Sequence, residues 1–171
     1  MSRFGLLRSA TMLLCVLHSG HALATERHVP AEYPTIQQAV NAAVSGDTVR
    51  IAPGNYTEQV VVAFKTGLTL AGEPGTVLHA FPGMGASLAA YGWNNPAVCA
   101  IYRSDVVVSG VHFEGESLGG SVALTLDGLL FMGAEGMITN CTFSGFRGVG
   151  SSEDTLVRTL YCRNPVSIGV G

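Results

Sequence analysis

The sequence predicts an all-β domain headed by one short α-helix, on three observations. Helical periodicity occurs once, at residues 35–45 within "YPTIQQAVNAAVSGDTVRIAPGNYTE". No second helical stretch follows Gly46, although helices would have to recur between the strands of a βαβ fold. The remainder is a string of short β-type segments separated by glycine-rich corners, a pattern that fits a sandwich, a barrel or a parallel β-helix.

In chain order, Arg3 and Arg8 flank the start of the apolar run "ATMLLCVL", and "ALA" at 22–24 offers small residues at a cleavage position. Residues 1–24 therefore read as an export signal cleaved after Ala24. The run is far shorter than the roughly 20 residues a spanning helix requires. No later segment is long and apolar enough to span, so the mature chain is expected to be soluble outside the cytoplasm. Removal of the signal takes Cys15 with it and leaves Cys99, Cys141 and Cys162. At most one internal disulfide can then form, and a small buried thiol is the expected state of at least one of the three.

Thr35, with Gln38 three positions on, has the spacing of a capping box. Ile36, Ala39, Val40 and Ala43 then form one narrow apolar stripe, while Gln37, Gln38, Asn41 and Ala42 face elsewhere. Gly46 is the expected stop. In "DTVRIAPG" the period changes to two, with Val49 and Ile51 on one face, Thr48 and Arg50 on the other, and a turn at Pro53-Gly54. Further β segments are "QVVV", "LTLAG", "TVLHA", "VCAIY", "VVVSGVHF", "VALTL", "LLFM", "MITNCTF", "LVRTLYC" and "VSIGVG".

Two of these segments repeat each other. "VVSGVHFEG" and "MITNCTFSG" align Val107 with Met137, Gly110 with Asn140 and Phe113 with Phe143, thirty residues apart. Cys141 and Cys162 lie twenty-one apart, a second spacing compatible with inward positions recurring once per turn of a solenoid. Composition excludes one partner class: the formal charge is -3 and the nine Lys and Arg are scattered, so the basic stripe that nucleic acid needs is missing.

The stretch 33–78, "YPTIQQAVNAAVSGDTVRIAPGNYTEQVVV" followed by "GLTLAGEPGTVL", resembles the opening of right-handed parallel β-helix proteins of the pectin lyase-like superfamily. Weaker similarity runs through "VVVSGVHFEG" and "MITNCTFSGF" to about residue 146. The resemblance implies a right-handed parallel β-helix whose open N-terminal end is closed by the helix at 35–45, since a bare solenoid end would expose strand edges and core. Roughly five or six coils of about 20–25 residues would follow residue 47. The final "NPVSIGVG" reads as a strand with no cap after it, so an open last coil able to associate edge to edge, or a longer natural design, is expected.

That superfamily is mostly secreted and acts on or binds polysaccharides, so the resemblance implies an extracytoplasmic polysaccharide such as pectin as partner, with no cofactor. Fold alone does not fix function, and a binding or structural module is as compatible as an enzyme. One region resembles the pectinesterase pattern more specifically: "NCTFSGF" precedes "EDTL", placing Asp154 where that family has its general acid and base and Glu153 where it has a glutamine. "RGVGSS" is inserted before the match, Val157 replaces a tyrosine, and the segment with the nucleophilic aspartate and catalytic arginine is missing. Ester hydrolysis by that route needs both carboxylates, so this chain alone is expected to be inactive by that route, and a solvated turn between strands is the favoured reading of the pair.

Two further stretches are candidates. In "VHFEGE", alternation sends Val111 and Phe113 inward and puts His112 and Glu114 on the outer face, where they could transfer a proton or form a plain polar surface. No HxxH, CxxC or calcium-type loop accompanies them, so no metal is expected. "FPGMGASLAAYGWNNP" carries Phe81, Tyr91 and Trp93 on an irregular, glycine-rich insertion; Tyr91 and Trp93 are candidate carbohydrate-stacking residues, with packing against the coil as the alternative. Asn55 and Asn140 both fit the glycosylation sequon. Asn140 is expected inside a coil, in keeping with the superfamily's habit of stacking asparagines at coil corners.

Overall fold

A two-residue apolar period requires a sheet with one face on a core, and several such segments in succession require several strands. The computed structural model of the chain, which describes residues 23–118, 126–146, 155–160 and 167–169, meets this with three parallel sheets and one α-helix. Sheet I runs β1 (Glu26–Val29), β2 (Thr48–Ile51), β5 (Thr66–Gly72), β8 (Asp105–Ser109), β11 (Glu135–Thr139) and β14 (Ser167–Gly169). Sheet II runs β3 (Gly54–Thr57), β6 (Thr76–His79), β9 (His112–Glu114) and β12 (Thr142–Ser144). Sheet III runs β4 (Val60–Ala63), β7 (Ala97–Tyr102), β10 (Asp127–Met132) and β13 (Thr155–Leu160). From β2 onward the described strands visit sheets I, II and III in strict rotation.

The register stacks like on like. Val49, Leu70, Val108 and Ile138 occupy one row of sheet I and are all buried. In sheet II, Phe113 pairs with Leu78 and Phe143, and the two phenylalanine rings stack with centroids 5.0 Å apart. Val60, Cys99 and Leu129 form the matching row of sheet III. All three rows close on one core, where each fully buried large aliphatic side chain contributes about 1.5–3 kcal/mol. Every residue of β7 is buried, because residues 81–96 fold over the outer face of sheet III. There Leu88, Ala97, Ala100, Tyr102 and Leu130 make a second apolar cluster, with Trp93 half-buried against it.

The N-terminal end is closed by α1 (Ile36–Ala42), whose Ile36, Ala39 and Val40 are buried, as the apolar stripe predicts. Thr35 Oγ1 accepts the Gln38 N–H at 3.1 Å. The next two free N–H groups, of Ile36 and Gln37, are taken by the Glu58 carboxylate at 2.9 Å each, a partner 22 and 21 residues downstream that sequence spacing does not reveal. Gln37 does a second job: its amide accepts the Val61 N–H at 2.6 Å and donates to the Val61 carbonyl at 3.1 Å. One side chain thus occupies the outer edge of β4, the terminal strand of sheet III. Glu58→Ala is expected to destabilise the fold by about 1 kcal/mol, the usual worth of a helix cap, lowering the melting midpoint by about 2–4 °C; an unchanged midpoint in a thermal melt would show the cap to be dispensable.

Several expectations are adjusted. The helix ends at Ala42 with Ala43 as its cap, so Gly46 (φ 90°) serves the turn into β2 instead of stopping the helix. β1 and β3 are strands that carry no clear apolar alternation. The thirty-residue repeat is a true register: Val107 pairs with Met137 and Phe113 with Phe143. The twenty-one-residue spacing of Cys141 and Cys162 is not the local period, because Asp127 pairs with Thr155 and Met137 with Ser167; Cys162 itself lies outside the described residues. The described strands make four rounds and begin a fifth with β14, because the later rounds are longer than the first. Asn140 is exposed rather than inside, at φ 52°. It takes the same corner as Gly110 (φ 68°) one repeat earlier, and asparagine is among the few residues that tolerate that conformation.

Candidate functional site

The outer face of sheet II gathers polar side chains by register. Phe113 points inward and is buried, while His112 and Glu114 on either side are half-buried on the outside. Their partners in β12 are Thr142 and Ser144. His112 Nδ1 lies 2.6 Å from Thr142 Oγ1, and its Nε2 lies 2.9 Å from Ser144 Oγ. The Ser144 hydroxyl donates to Glu114 Oε2 at 2.5 Å, and that carboxylate oxygen is 3.5 Å from His112 Nε2. The Ser144 hydroxyl, helped by the Glu116 N–H and by His112, holds the Glu114 carboxyl below its ordinary range in spite of partial burial. Beside this group His79 Nδ1 meets Glu116 Oε1 at 2.5 Å, and its Nε2 meets Asn55 Oδ1 at 3.0 Å. A groove of about 520 Å³ runs past Asn55, Thr57, His79, Phe81 and Glu116.

A second feature stands at the corner between sheets III and I. Phe64, Arg103 and Gly133 follow the register-matched residues Ala63, Tyr102 and Met132, and all three have left-handed backbone, at φ 57°, 43° and 58°. Glycine takes this conformation without strain, whereas other residues lose about 1 kcal/mol or more. The two that are not glycine carry large side chains outward. The Phe64 ring is 59% exposed and meets Tyr102 edge-on at 5.5 Å. Tyr91, 39% exposed, stacks on Tyr102 at 4.0 Å, and the Arg103 guanidinium lies 5.3 Å from the Tyr102 ring centroid. Alongside is an open groove of about 720 Å³ bordered by Tyr102, Arg103, Ser104, Asp105, Met132 and Glu135.

The three aromatics of the insertion go to three places. Tyr91 joins this shelf; Phe81 packs half-buried on the main core and borders the groove beside His79. Trp93 lies beneath Arg158, whose guanidinium is 5.5 Å from the ring centroid. Arg158 Nε also donates to Asp127 Oδ1 at 2.8 Å. Asp127 is fully buried, and burial pushes its carboxyl above the usual range while Arg158 pulls it back. This pair ties β13 to β10 and was not visible as a pair in the sequence.

Asp154 and Glu153 lie outside the described residues, as do residues 1–22 of the expected export signal. Among the described residues no group of three or more His, Cys, Asp and Glu side chains is arranged to hold a metal ion. Cys99 and Cys141 are free thiols, and burial pushes Cys99 up to about 12, which keeps it protonated and inert. No described helix is long and apolar enough to cross a membrane. Ser144, Thr142, His79 and Phe64 were not singled out from the sequence; the thirty-residue alignment could have found the first two, because it sets Thr142 beside His112 and Ser144 beside Glu114.

The chain is a mostly β protein of three parallel sheets, with a polar cluster on one outer face and an aromatic shelf at a corner. No protein-family model, no curated protein and no solved structure matches it.

Proposed function

We propose that the chain is an exported right-handed parallel β-helix, akin to the pectin lyase-like superfamily, that binds extracellular polysaccharide along the Phe64, Tyr91 and Tyr102 shelf. The rotation of strands through three parallel sheets supports the fold, and the resemblance of residues 33–78 supports the kinship. The observation that carries the binding reading is the shelf itself: two exposed rings braced on a third, one of them on strained backbone. Backbone strain retained with an exposed aromatic points to use rather than to packing. Ring faces complement the C–H faces of a sugar. Arg103, Asp105 and Glu135 stand beside them to meet hydroxyl or carboxylate groups.

Tyr91→Ala is expected to weaken binding to pectin by about 5-fold to 10-fold, the scale of one lost aromatic contact. Affinity electrophoresis in gels containing pectin, polygalacturonate or a neutral glucan would measure this and rank the glycans. If the native chain migrates unretarded in every gel, or if Phe64→Ala with Tyr91→Ala leaves retardation intact, the shelf is not a binding surface.

A further inference from the structure

We infer that Ser144 and His112 form a nucleophile and base pair that hydrolyses small acyl esters on the outer face of sheet II. The two residues project from neighbouring parallel strands in fixed register, so their separation is set by the sheet rather than by a loop. Ser144 Oγ and His112 Nε2 are 2.9 Å apart. The other ring nitrogen is engaged by Thr142 Oγ1 at 2.6 Å. A nucleophile, a base within hydrogen-bond reach and a third group that orients the base are the three parts such chemistry requires. The Thr142 hydroxyl can accept a hydrogen bond from Nδ1–H, a tautomer that leaves Nε2 with the lone pair that faces the serine.

Glu114 adds charge. Its Oε2 lies 3.5 Å from Nε2, close enough to stabilise the imidazolium formed when the ring takes a proton. In the resting arrangement the same oxygen accepts the serine hydrogen, so the hydroxyl sits between two acceptors and turns from one to the other. Ser144 is exposed, so a substrate can reach it. His112 and Thr142 also border a groove of about 500 Å³ with Pro74, Val77, Val111 and Asn140. A cleft this open, with an apolar wall and an amide at its edge, suits a short acyl group such as acetyl on a sugar or other alcohol.

The balanced reaction has two halves. Ser144 Oγ attacks the acyl carbon and its proton passes to His112 Nε2; the carbon–alkoxy bond breaks and His112 returns the proton to the departing alcohol. Water then attacks the acyl-serine, His112 takes the water proton, the carbon–Oγ bond breaks, and the proton returns to Ser144. The net change is ester plus water to acid plus alcohol, with no oxidant, metal or other co-reactant. The site occupies a different sheet from the aromatic shelf and does not rest on polysaccharide binding.

The test uses the full chain with 4-nitrophenyl acetate and, separately, an alkyl fluorophosphonate that marks activated serines. The expected result is one phosphonyl adduct on the peptide holding Ser144, together with nitrophenolate release that falls about 100-fold or more in Ser144→Ala and in His112→Gln. Thr142→Val should lower kcat with little change in KM, as expected of a positioning residue. Circular dichroism checks that each variant folds, and Ser144→Cys, which keeps a nucleophile, should retain acylation if Ser144→Ala is unstable. Absence of an adduct on the folded native chain overturns the proposal, as does release in folded Ser144→Ala at the native rate.

Discussion

Asp47→Ala is expected to destabilise the fold by about 3–5 kcal/mol, the range for removing one member of a buried ion pair. The carboxylate is fully buried at the entry to β2. Its Oδ1 accepts the Thr25 N–H at 3.0 Å, and its Oδ2 accepts the Val44 N–H at 2.9 Å and Arg27 Nε at 2.8 Å. Alanine would strand two backbone donors and a guanidinium whose side chain is only 18% exposed. Burial alone would raise the Asp47 pKa, but the Val44 and Thr25 N–H groups and Arg27 outweigh it, and the net shift is downward. A depressed folded-state pKa contributes stability that is fully present above the unfolded value, near 3.9, and is lost as pH falls through the lower folded value. Urea midpoints at pH 7 and pH 3 should therefore converge for the native chain and Asp47→Asn as the medium becomes acid. An unfolding free energy for Asp47→Ala within about 0.5 kcal/mol of native at pH 7, the scatter of an ordinary surface change, would show the site to be structurally idle.

The second large effect is expected at Gly136, in β11 opposite Val106 of β8. A Cβ there would lie 1.9 Å from the Val106 carbonyl oxygen and 2.9 Å from its carbonyl carbon. Both contacts are to backbone, so no side chain can swing aside; the β8–β11 ladder would have to part. Gly136→Ala should therefore cost at least about 3 kcal/mol, the top of the range for overpacking, or prevent accumulation of folded chain. Gly83→Ala is the control, since its φ of 86° is unfavourable for alanine but nothing lies within 4 Å of the added carbon; about 1 kcal/mol is expected there. Equal midpoints for the two variants in thermal melts would mean that the strand contact at Gly136 yields freely.

The helix and most strands were legible because their periods are complete: Ile36, Ala39 and Val40 mark one face of α1, and Val106 and Val108 one face of β8. β1 and β3 escaped because their residues carry almost no apolar signal. Glu26–Val29 buries Val29 alone, and Gly54–Thr57 buries no residue fully. Both are strands because a neighbouring strand supplies the ladder, which is tertiary context overriding propensity. Half of the sheet II cluster was readable, since alternation in "VHFEGE" fixes His112 and Glu114 on one face. Its serine and threonine become partners only through stacking across thirty residues. The shelf was less accessible: Tyr91 stood out, but Phe64 gains meaning from Tyr102, which lies thirty-eight positions away and meets it at a corner.

The parallel rotation of strands has a consequence for how the chain reaches this state. Among the described strand ladders the shortest span in sequence is that of Thr48 with Thr69, and Val60 reaches as far as Cys99; the only closer pairing among the described residues is the isolated bridge between Leu88 and Trp93. None of the described strands pairs with its neighbour as a hairpin, so each of these ladders must close a loop of at least about twenty residues before its pairing rewards it. Such topologies are slow to form. Each completed strand, however, presents a ready edge for the one that follows, so growth from the α1 end outward, one layer at a time, is the order this architecture favours.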